Sequence, residues 1–163
     1  MAIVTLPVSA VYDLVAARLR AGIDDAVIAP WIGSDFIETE SGAVAMHSGG
    51  QFSIELNETT YPDGLRVARR KDRGADRAHT GVTVRWADAL KLDHPAASYA
   101  ESLRAEESVV RAVISPAANE GAGAGRVVGQ RLTRRTRVGA GDTVWHLRAL
   151  QVRIEHTYPL SSP

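Results

Sequence analysis

Residues 82–87 read Val-Thr-Val-Arg-Trp-Ala, and residues 52–57 read Phe-Ser-Ile-Glu-Leu-Asn. In both stretches apolar side chains alternate with polar or small ones, so that one row faces a core and the other faces water. This period of two predicts two half-buried strands. The segment between them, Tyr61 to His79, is rich in charge and glycine and too long for a tight turn. It predicts a projecting loop or the tip of a long hairpin.

Two amphipathic helices are predicted on either side of these strands. The first runs from about Pro7 to Ala21, with Pro7 suited to its first turn and Gly22 to its C-terminal cap. The second runs from Pro95 to Ser115, and Pro116 follows its end. Both predictions rest on apolar residues near spacings of three and four, namely Val8, Val11, Tyr12, Val15 and Leu19 in the first helix and Tyr99, Leu103, Val109, Val110, Val113 and Ile114 in the second.

A further hairpin is predicted near the end of the chain. Val127 to Val138 and Thr143 to Tyr158 flank the glycine-rich turn 139–142. In the last strand Trp145, Leu147 and Ala149 are apolar at odd positions, whereas the later apolar residues are at even positions, namely Leu150, Val152, Ile154 and Tyr158. This slip predicts either a bulge near Ala149 or a change in which face of the strand is covered. Val27 to Ser48, interrupted by proline and glycine, predicts irregular extended chain with room for one short strand.

The order of elements predicts an α+β fold, in which both helices pack on one face of a mainly antiparallel sheet. With 163 residues, 45% of them apolar, we expect one domain covering residues 1–163. Lys plus Arg and Asp plus Glu both number 19, so no overall field favours nucleic acid or anionic lipid. The chain lacks cysteine, which suits folding in a reducing cytoplasm. We expect no signal peptide and no membrane span.

The sequence predicts no catalytic, cofactor-binding or metal-binding residues. None of the five histidines is spaced to present two ligands from one helical turn, and no serine lies in a Gly-x-Ser-x-Gly elbow. His146 and His156 are expected to be half-exposed on the final strand, and Glu106 and Glu107 to be solvated on the second helix. The glycine run at 121–125 follows a helix and precedes a strand, the reverse of a dinucleotide-binding loop.

Two groups of basic residues are candidates for an interface. The first lies in the long loop, without aromatic residues between its members, and comprises Arg66, Arg69, Arg70, Lys71, Arg73 and Arg77. It suits phosphates or an acidic protein surface, or else a solvated loop that orders on assembly. The second lies in a predicted strand, where alternation places Arg131, Arg135 and Arg137 on one face and Arg126 and Arg134 on the other. Such a row faces water, protects a strand edge or pairs with a neighbouring subunit.

In this order of elements the chain resembles the tail terminator proteins of long-tailed phages, the family that includes the terminator of phage lambda. The resemblance covers most of the chain. It rests on the N-terminal helix, the strands at 52–56 and 82–86, the helix after Pro95 and a long closing strand from Trp145 that ends Glu155-His156-Thr157-Tyr158-Pro159-Leu160. The chain departs from the layout in its extra length between Ile23 and Gly50 and in its glycine- and alanine-rich connection after the second helix.

The resemblance implies a virion protein, made in the host cytoplasm and without catalytic activity. It implies a homohexameric ring that caps the finished tail tube and offers its other face to the head-side connector or stopper protein. In such a ring the nine candidate residues would meet neighbouring subunits or face the channel, where genomic DNA passes; they are Arg66, Arg69, Arg70, Lys71, Arg73, Arg77, Arg131, Arg135 and Arg137.

Three alternatives remain open from the sequence. Within the phage class, the chain would be a head-side neck protein such as a stopper or head completion subunit. Outside it, a small cytosolic α+β enzyme or ligand-binding domain predicts a deep pocket with convergent polar groups. A nucleic-acid binder acting through the basic loop predicts DNA affinity that falls with salt and with substitution of Arg69, Arg70 and Arg73.

Overall fold

The structure is a computed structural model that describes residues 6–29, 51–61, 75–115, 125–138 and 143–159. Both predicted helices are present within about a residue of their expected ends, and the α+β class is confirmed. The elements, in chain order, are α1 (Val8–Gly22), β1 (Val27–Ala29), β2 (Gln51–Thr60), β3 (Ala75–Leu90), α2 (Pro95–Ile114), β4 (Arg126–Val138) and β5 (Val144–Pro159).

The strands form one five-stranded sheet in the order β1-β2-β3-β5-β4. Strands β3 and β5 are its centre and pair without interruption from Ala75↔Pro159 to Leu90↔Val144. The two predicted antiparallel hairpins, β2–β3 and β4–β5, are both present. The short β1 is parallel to β2. The sheet is therefore mainly antiparallel, with β1 at one edge and β4 at the other.

Both helices pack on the same face of the sheet, as predicted. Valines and leucines of α1 and α2 join the even-numbered residues of β3 and β5 in one core. Full burial of each such side chain is worth about 1.5–3 kcal/mol, which explains why the apolar stripes determine the layering. The most enclosed members of this core are Val11, Val15, Leu19, Val82, Val84, Val113, Leu150 and Ile154.

One arginine is part of this packed layer. Arg18 is buried, and its guanidinium donates to the carbonyl of Val113 at 3.0 Å and to that of Gly125 at 2.8 Å. The first carbonyl belongs to the last turn of α2, whose C=O groups lack helical partners. Arg18 therefore ties α1 to the end of α2 and to the residue that precedes β4.

Gly22 has a different role from the predicted C-terminal cap. It is the last residue of α1, the cap position is Ile23 in an extended conformation, and Gly22 does not adopt a left-handed φ. A Cβ atom built on Gly22 would lie 2.5 Å from the Cβ of Ala112 in α2. The glycine is thus required by the close approach of the two helices and not by backbone conformation.

The predicted slip near Ala149 is not a bulge, because the β3–β5 register is continuous through it. The alternative prediction, a change in which face is covered, agrees with the structure. Leu147 and Ala87 are buried on the face opposite the helices, with Trp145 packed against them. Bulges occur elsewhere, between Leu56 and Thr59 in β2 and between Val127 and Gly129 in β4.

Candidate functional site

The face of the sheet that carries no helix is rich in arginine. Residues paired across antiparallel strands share a face, so the register places the odd-numbered residues of β3 and β5 there together with their partners in β2 and β4. We call this surface the open face. Its described arginines are Arg77, Arg85, Arg126, Arg131, Arg135 and Arg153, and the carboxylates paired along it are Glu55 and Glu155.

The bulge in β4 changes one prediction from the sequence. Alternation alone placed Arg126 with Arg134, on the face opposite Arg131. Because Val128 is an extra residue between Val127 and Gly129, the alternation reverses there, and Arg126 pairs with Glu155 on the open face. Arg134 instead reaches the helix layer.

The candidate interface residues from the sequence are only partly accounted for. Arg77, Arg131 and Arg135 lie on the open face and are exposed. Arg137 is opposite Trp145 in the register of β4 and β5. The other five, Arg66, Arg69, Arg70, Lys71 and Arg73, lie outside the described residues.

Glu155 organises the end of the open face near the start of β4. Its carboxylate lies 3.2 Å from Nε2 of His79, 3.1 Å from Nη2 of Arg126 and 3.7 Å from Nη1 of Arg77. The hydrogen bond with His79, followed by the two arginines, holds the pKa of Glu155 below its usual range. Farther along the sheet Arg85 donates to Glu55 at 2.7 Å.

Between these ion pairs lies an open depression of about 540 Å³. Arg153 is at its centre, because the residue beside it on β3 is Gly81 and the residue beside it on β4 is Gly129. A Cβ on either glycine would meet its neighbours only at ordinary contact distances. Packing within the subunit therefore does not require a glycine at either position, and both leave open space beside Arg153. The rim of the depression includes Asn57, Glu58, His79, Gln130, Arg131 and Gln151.

Both edges of the sheet carry exposed valines. Val27 on β1 is 52% exposed, and Val128 and Val138 on β4 are 40% and 63% exposed. Single exposed apolar residues are common, but these lie on strands whose outer edges pair with no other strand in the part of the chain that the structure describes. The two edges are unlike, since β4 has 13 residues and β1 has three.

A polar cluster is buried between α2 and the sheet, and the sequence did not predict it. Arg148 is 1% exposed and stacks over Trp86 at 5.2 Å. Its guanidinium donates to the carbonyl of Ser102 at 2.6 Å and forms an ion pair with Asp88. Burial lowers the pKa of Arg148 to about 10, so it remains charged at neutral pH.

The same cluster brings a serine, a histidine and an aspartate together, but not in the arrangement of a hydrolase triad. The Ser102 hydroxyl donates to Asp88 at 3.0 Å and lies 2.9 Å from Nδ1 of His146. Its single proton is used on the carboxylate, so His146 must donate to the serine oxygen. A catalytic histidine does the reverse and removes the serine proton. With Ser102 only 5% exposed, the arrangement is suited to holding α2 on the sheet.

Two predictions about individual side chains were wrong. Glu106 is not solvated, because it is buried and accepts two hydrogen bonds from Arg134, at 2.8 and 2.6 Å. His146 and His156 are not half-exposed, since both lie in the even-numbered, helix-facing row of β5. Burial lowers the pKa of each. The sequence did contain a signal for this burial. Leu150, Val152 and Ile154 define the core-facing row, and strand alternation places residues 146, 148 and 156 in the same row.

No protein-family model matches the chain, and no curated protein matches it in sequence. Within the ranges that the structure describes, no three His, Asp or Glu side chains gather as they would around a metal ion. In those ranges, too, no helix combines the length and the apolar content that a bilayer crossing requires.

Proposed function

We propose that this chain is a structural subunit of a phage tail neck, which closes into a ring at the head-proximal end of the tail tube. The observation that carries the proposal is that the sheet ends in two unlike edges and that both expose valines, Val27 on β1 and Val128 and Val138 on β4. Cyclic assemblies need two different complementary surfaces on each subunit, because each contact joins one patch to another. The two edges supply such a pair.

In this ring the β4 edge of one copy lies against the β1 side of the next. The arginines along β4 prevent indiscriminate edge pairing, as charged residues do on exposed strands, and leave the valines as points of selective contact. The resemblance to tail terminators supplies the remaining features, namely six copies, one face on the tail-tube protein and the other on the head-side connector or stopper. Bound in this way, the ring ends tube polymerisation and joins tail to head.

The polar chemistry of the chain favours a structural role over an enzymatic one. The cluster around Arg148 and His146 is enclosed beneath α2 and held there by hydrogen bonds within the fold. The depression on the open face is lined mainly by arginine, threonine and amide side chains, which bind rather than react, and of the two acid–base side chains on its rim, Glu58 and His79, the histidine is hydrogen-bonded to Glu155. We expect no turnover chemistry from either location.

Oligomeric state tests the proposal directly. Purified protein, alone and with the tail-tube protein of the same phage, is examined by light scattering and negative-stain electron microscopy. We expect rings, and we expect tubes capped at one end when both proteins are present. A strictly monomeric species even with the tube protein would overturn the assignment. Binding to the connector but not to the tube would replace it with a head-side stopper.

Matched substitutions test the proposed contact. Val138→Asp and Val128→Asp place a carboxylate on the β4 edge and should abolish rings while leaving the circular dichroism spectrum unchanged. Leu92→Asp is the control, because Leu92 is 58% exposed but belongs to neither edge strand. Rings that survive both valine substitutions would show that another surface closes the assembly.

A further inference from the structure

The formal net charge of the chain is zero, but its charges are not evenly distributed. On the open face the arginines outnumber the carboxylates, which are Glu55, Glu155 and, at the β2 bulge, Glu58. The helix layer carries both signs, with Asp13, Glu101 and Glu107 beside Arg104 and Arg111 all exposed there. Among the described residues, the open face therefore carries a net positive charge, although the charges of the whole chain sum to zero.

Arg131 and Arg153 are the centre of this positive surface. They line the same depression and are exposed, and they are diagonal neighbours because Arg131 pairs with Gln151, two residues before Arg153. The carboxylates of Glu55 and Glu155 are engaged by other side chains, namely Arg85 in the first case and Arg77, His79 and Arg126 in the second. Glu58 is the acidic residue that lines the depression itself.

The shape of the surface suits a duplex better than a single strand. From Arg126 to Arg135 the strand extends roughly 30 Å at about 3.4 Å per residue, which spans several phosphates of a duplex backbone. Stacking of unpaired bases requires aromatic platforms, and no Phe, Tyr or Trp is found among the described residues that line the depression. Threonine, asparagine and glutamine on its floor and rim are ordinary donors to phosphate oxygens.

We propose that the open face binds the phosphate backbone of double-stranded DNA without sequence preference, with Arg131 and Arg153 at the centre of the contact. The glycines beside Arg153 let the backbone approach the sheet, and the polar rim completes the contacts. Its two central residues, Arg131 and Arg153, do not belong to the basic loop considered in the sequence, whereas Arg77 belongs to both sets. The site does not depend on ring formation, because all its residues belong to one subunit.

Fluorescence anisotropy with a labelled random-sequence 20-base-pair duplex tests the proposal on the full chain. We expect binding at 50 mM salt that weakens steeply as salt is raised. Arg131→Gln/Arg153→Gln should weaken binding about tenfold or more and lower the slope of log K against log salt by about two, since each lost phosphate contact removes roughly 0.9. Both side chains are exposed, so the fold should be retained, and thermal unfolding verifies this.

The control is Arg104→Gln/Arg111→Gln, which removes the same charge from the exposed side of α2. It should leave both affinity and slope nearly unchanged. The proposal is overturned if the duplex does not bind at low salt, if the two double variants lose affinity equally, or if the open-face variant binds like the wild type. It is also overturned if poly-glutamate binds through Arg131 and Arg153 and the duplex does not, which would identify an acidic protein as the occupant.

Discussion

Buried charge is the feature of individual residues that most affects stability in this chain. Arg148, Asp88 and Ser102 satisfy one another beneath α2, and Glu106 accepts two hydrogen bonds from Arg134 at the border of the same layer. Removing one partner of a buried pair leaves the other desolvated without compensation, which costs more than the pair itself contributes. Conservative shape changes at these positions should therefore be poorly tolerated.

Arg148→Met preserves most of the side-chain volume but removes the partner of Asp88. We expect it to lower the free energy of unfolding by about 3 kcal/mol, measured by urea denaturation. Arg104→Met on the exposed side of α2 should change it by less than about 0.5 kcal/mol. If Arg148→Met unfolds at the wild-type urea concentration, the buried pair does not stabilise the fold.

The two buried histidines give the stability of the chain a pH dependence. His156 donates through Nδ1 to the carbonyl of Leu6 at 2.6 Å, and its Nε2 lies 2.8 Å from the Thr80 hydroxyl. Burial lowers the pKa of His146 and of His156 in the folded state. The unfolded chain then binds these protons first, so their contribution is complete above about pH 6.5 and is lost as the pH falls toward the folded pKa.

Urea denaturation between pH 7.5 and pH 5 measures this effect. We expect the free energy of unfolding to fall with acidification, at no more than about 1.4 kcal/mol per pH unit for each histidine. The low pKa of Glu155 acts in the same direction but only below about pH 4.3, outside this window. In His146→Asn/His156→Asn the slope between pH 5 and 7 should largely disappear. An unchanged slope would assign the dependence to other groups.

The buried histidines of β5 also show what could not be predicted from the sequence. The row of Leu150, Val152 and Ile154 was recognised, but the two histidines that continue it, His146 and His156, were predicted to be half-exposed. Pattern alone specifies which face a residue takes, whereas a buried polar side chain needs partners from elsewhere in the chain. Asp88 and Ser102 are 14 residues apart and 44 or more from His146 and Arg148. Such partnerships are not visible before the fold is known.

At the level of elements, the helix boundaries followed closely from periodicity, whereas the start of β3, the bulges and the helix contacts did not. Strand β3 begins at Ala75, inside the stretch Tyr61 to His79 that predicted a loop or the tip of a long hairpin. The extra residue Val128 moved Arg126 to the open face, and no feature of composition marks it. Gly22 was assigned to a cap because glycine is common there, yet it faces Ala112 across the α1–α2 contact. A glycine in the sequence is compatible with a close helix contact, but whether such a contact forms at that glycine depends on how two separate helices pack.

Gly22→Ala tests this contact. A Cβ at Gly22 would lie 2.5 Å from that of Ala112, so the helices must separate, and we expect a loss of about 1–2 kcal/mol in the free energy of unfolding. Gly129→Ala is the matched control, because its Cβ would meet only Arg153 at 3.9 Å. In an Ala112→Gly background the cost of Gly22→Ala should shrink, as coupled neighbours require. Equal stability of Gly22→Ala and the wild type would disprove the close approach.

At the scale of the whole molecule, the two-layer fold separates stability from recognition. The helix layer and the even-numbered rows contain the main core and most of the buried polar groups, whereas the open face and the two edges carry most of the exposed arginines and the exposed valines. The order of the predicted elements gave the class and the single layer of helices but not the strand order, since the pairing of β1 parallel to β2 depends on contacts between distant segments. That order determines which strands are edges, and hence where copies can meet.

A ring closed through these edges should make thermal stability depend on protein concentration, because assembly draws the equilibrium away from the unfolded monomer. We expect the Tm of the wild type to rise by several degrees between 1 and 100 μM, followed by scanning fluorimetry. The Tm of Val138→Asp should remain constant over the same range, and that of Leu92→Asp should rise as the wild type does. The central β3–β5 pairing is complete within one subunit, so the dependence can arise only from contacts between copies. A wild-type Tm that does not change with concentration, in a sample shown by light scattering to contain rings, would mean that the edges join without stabilising the subunit.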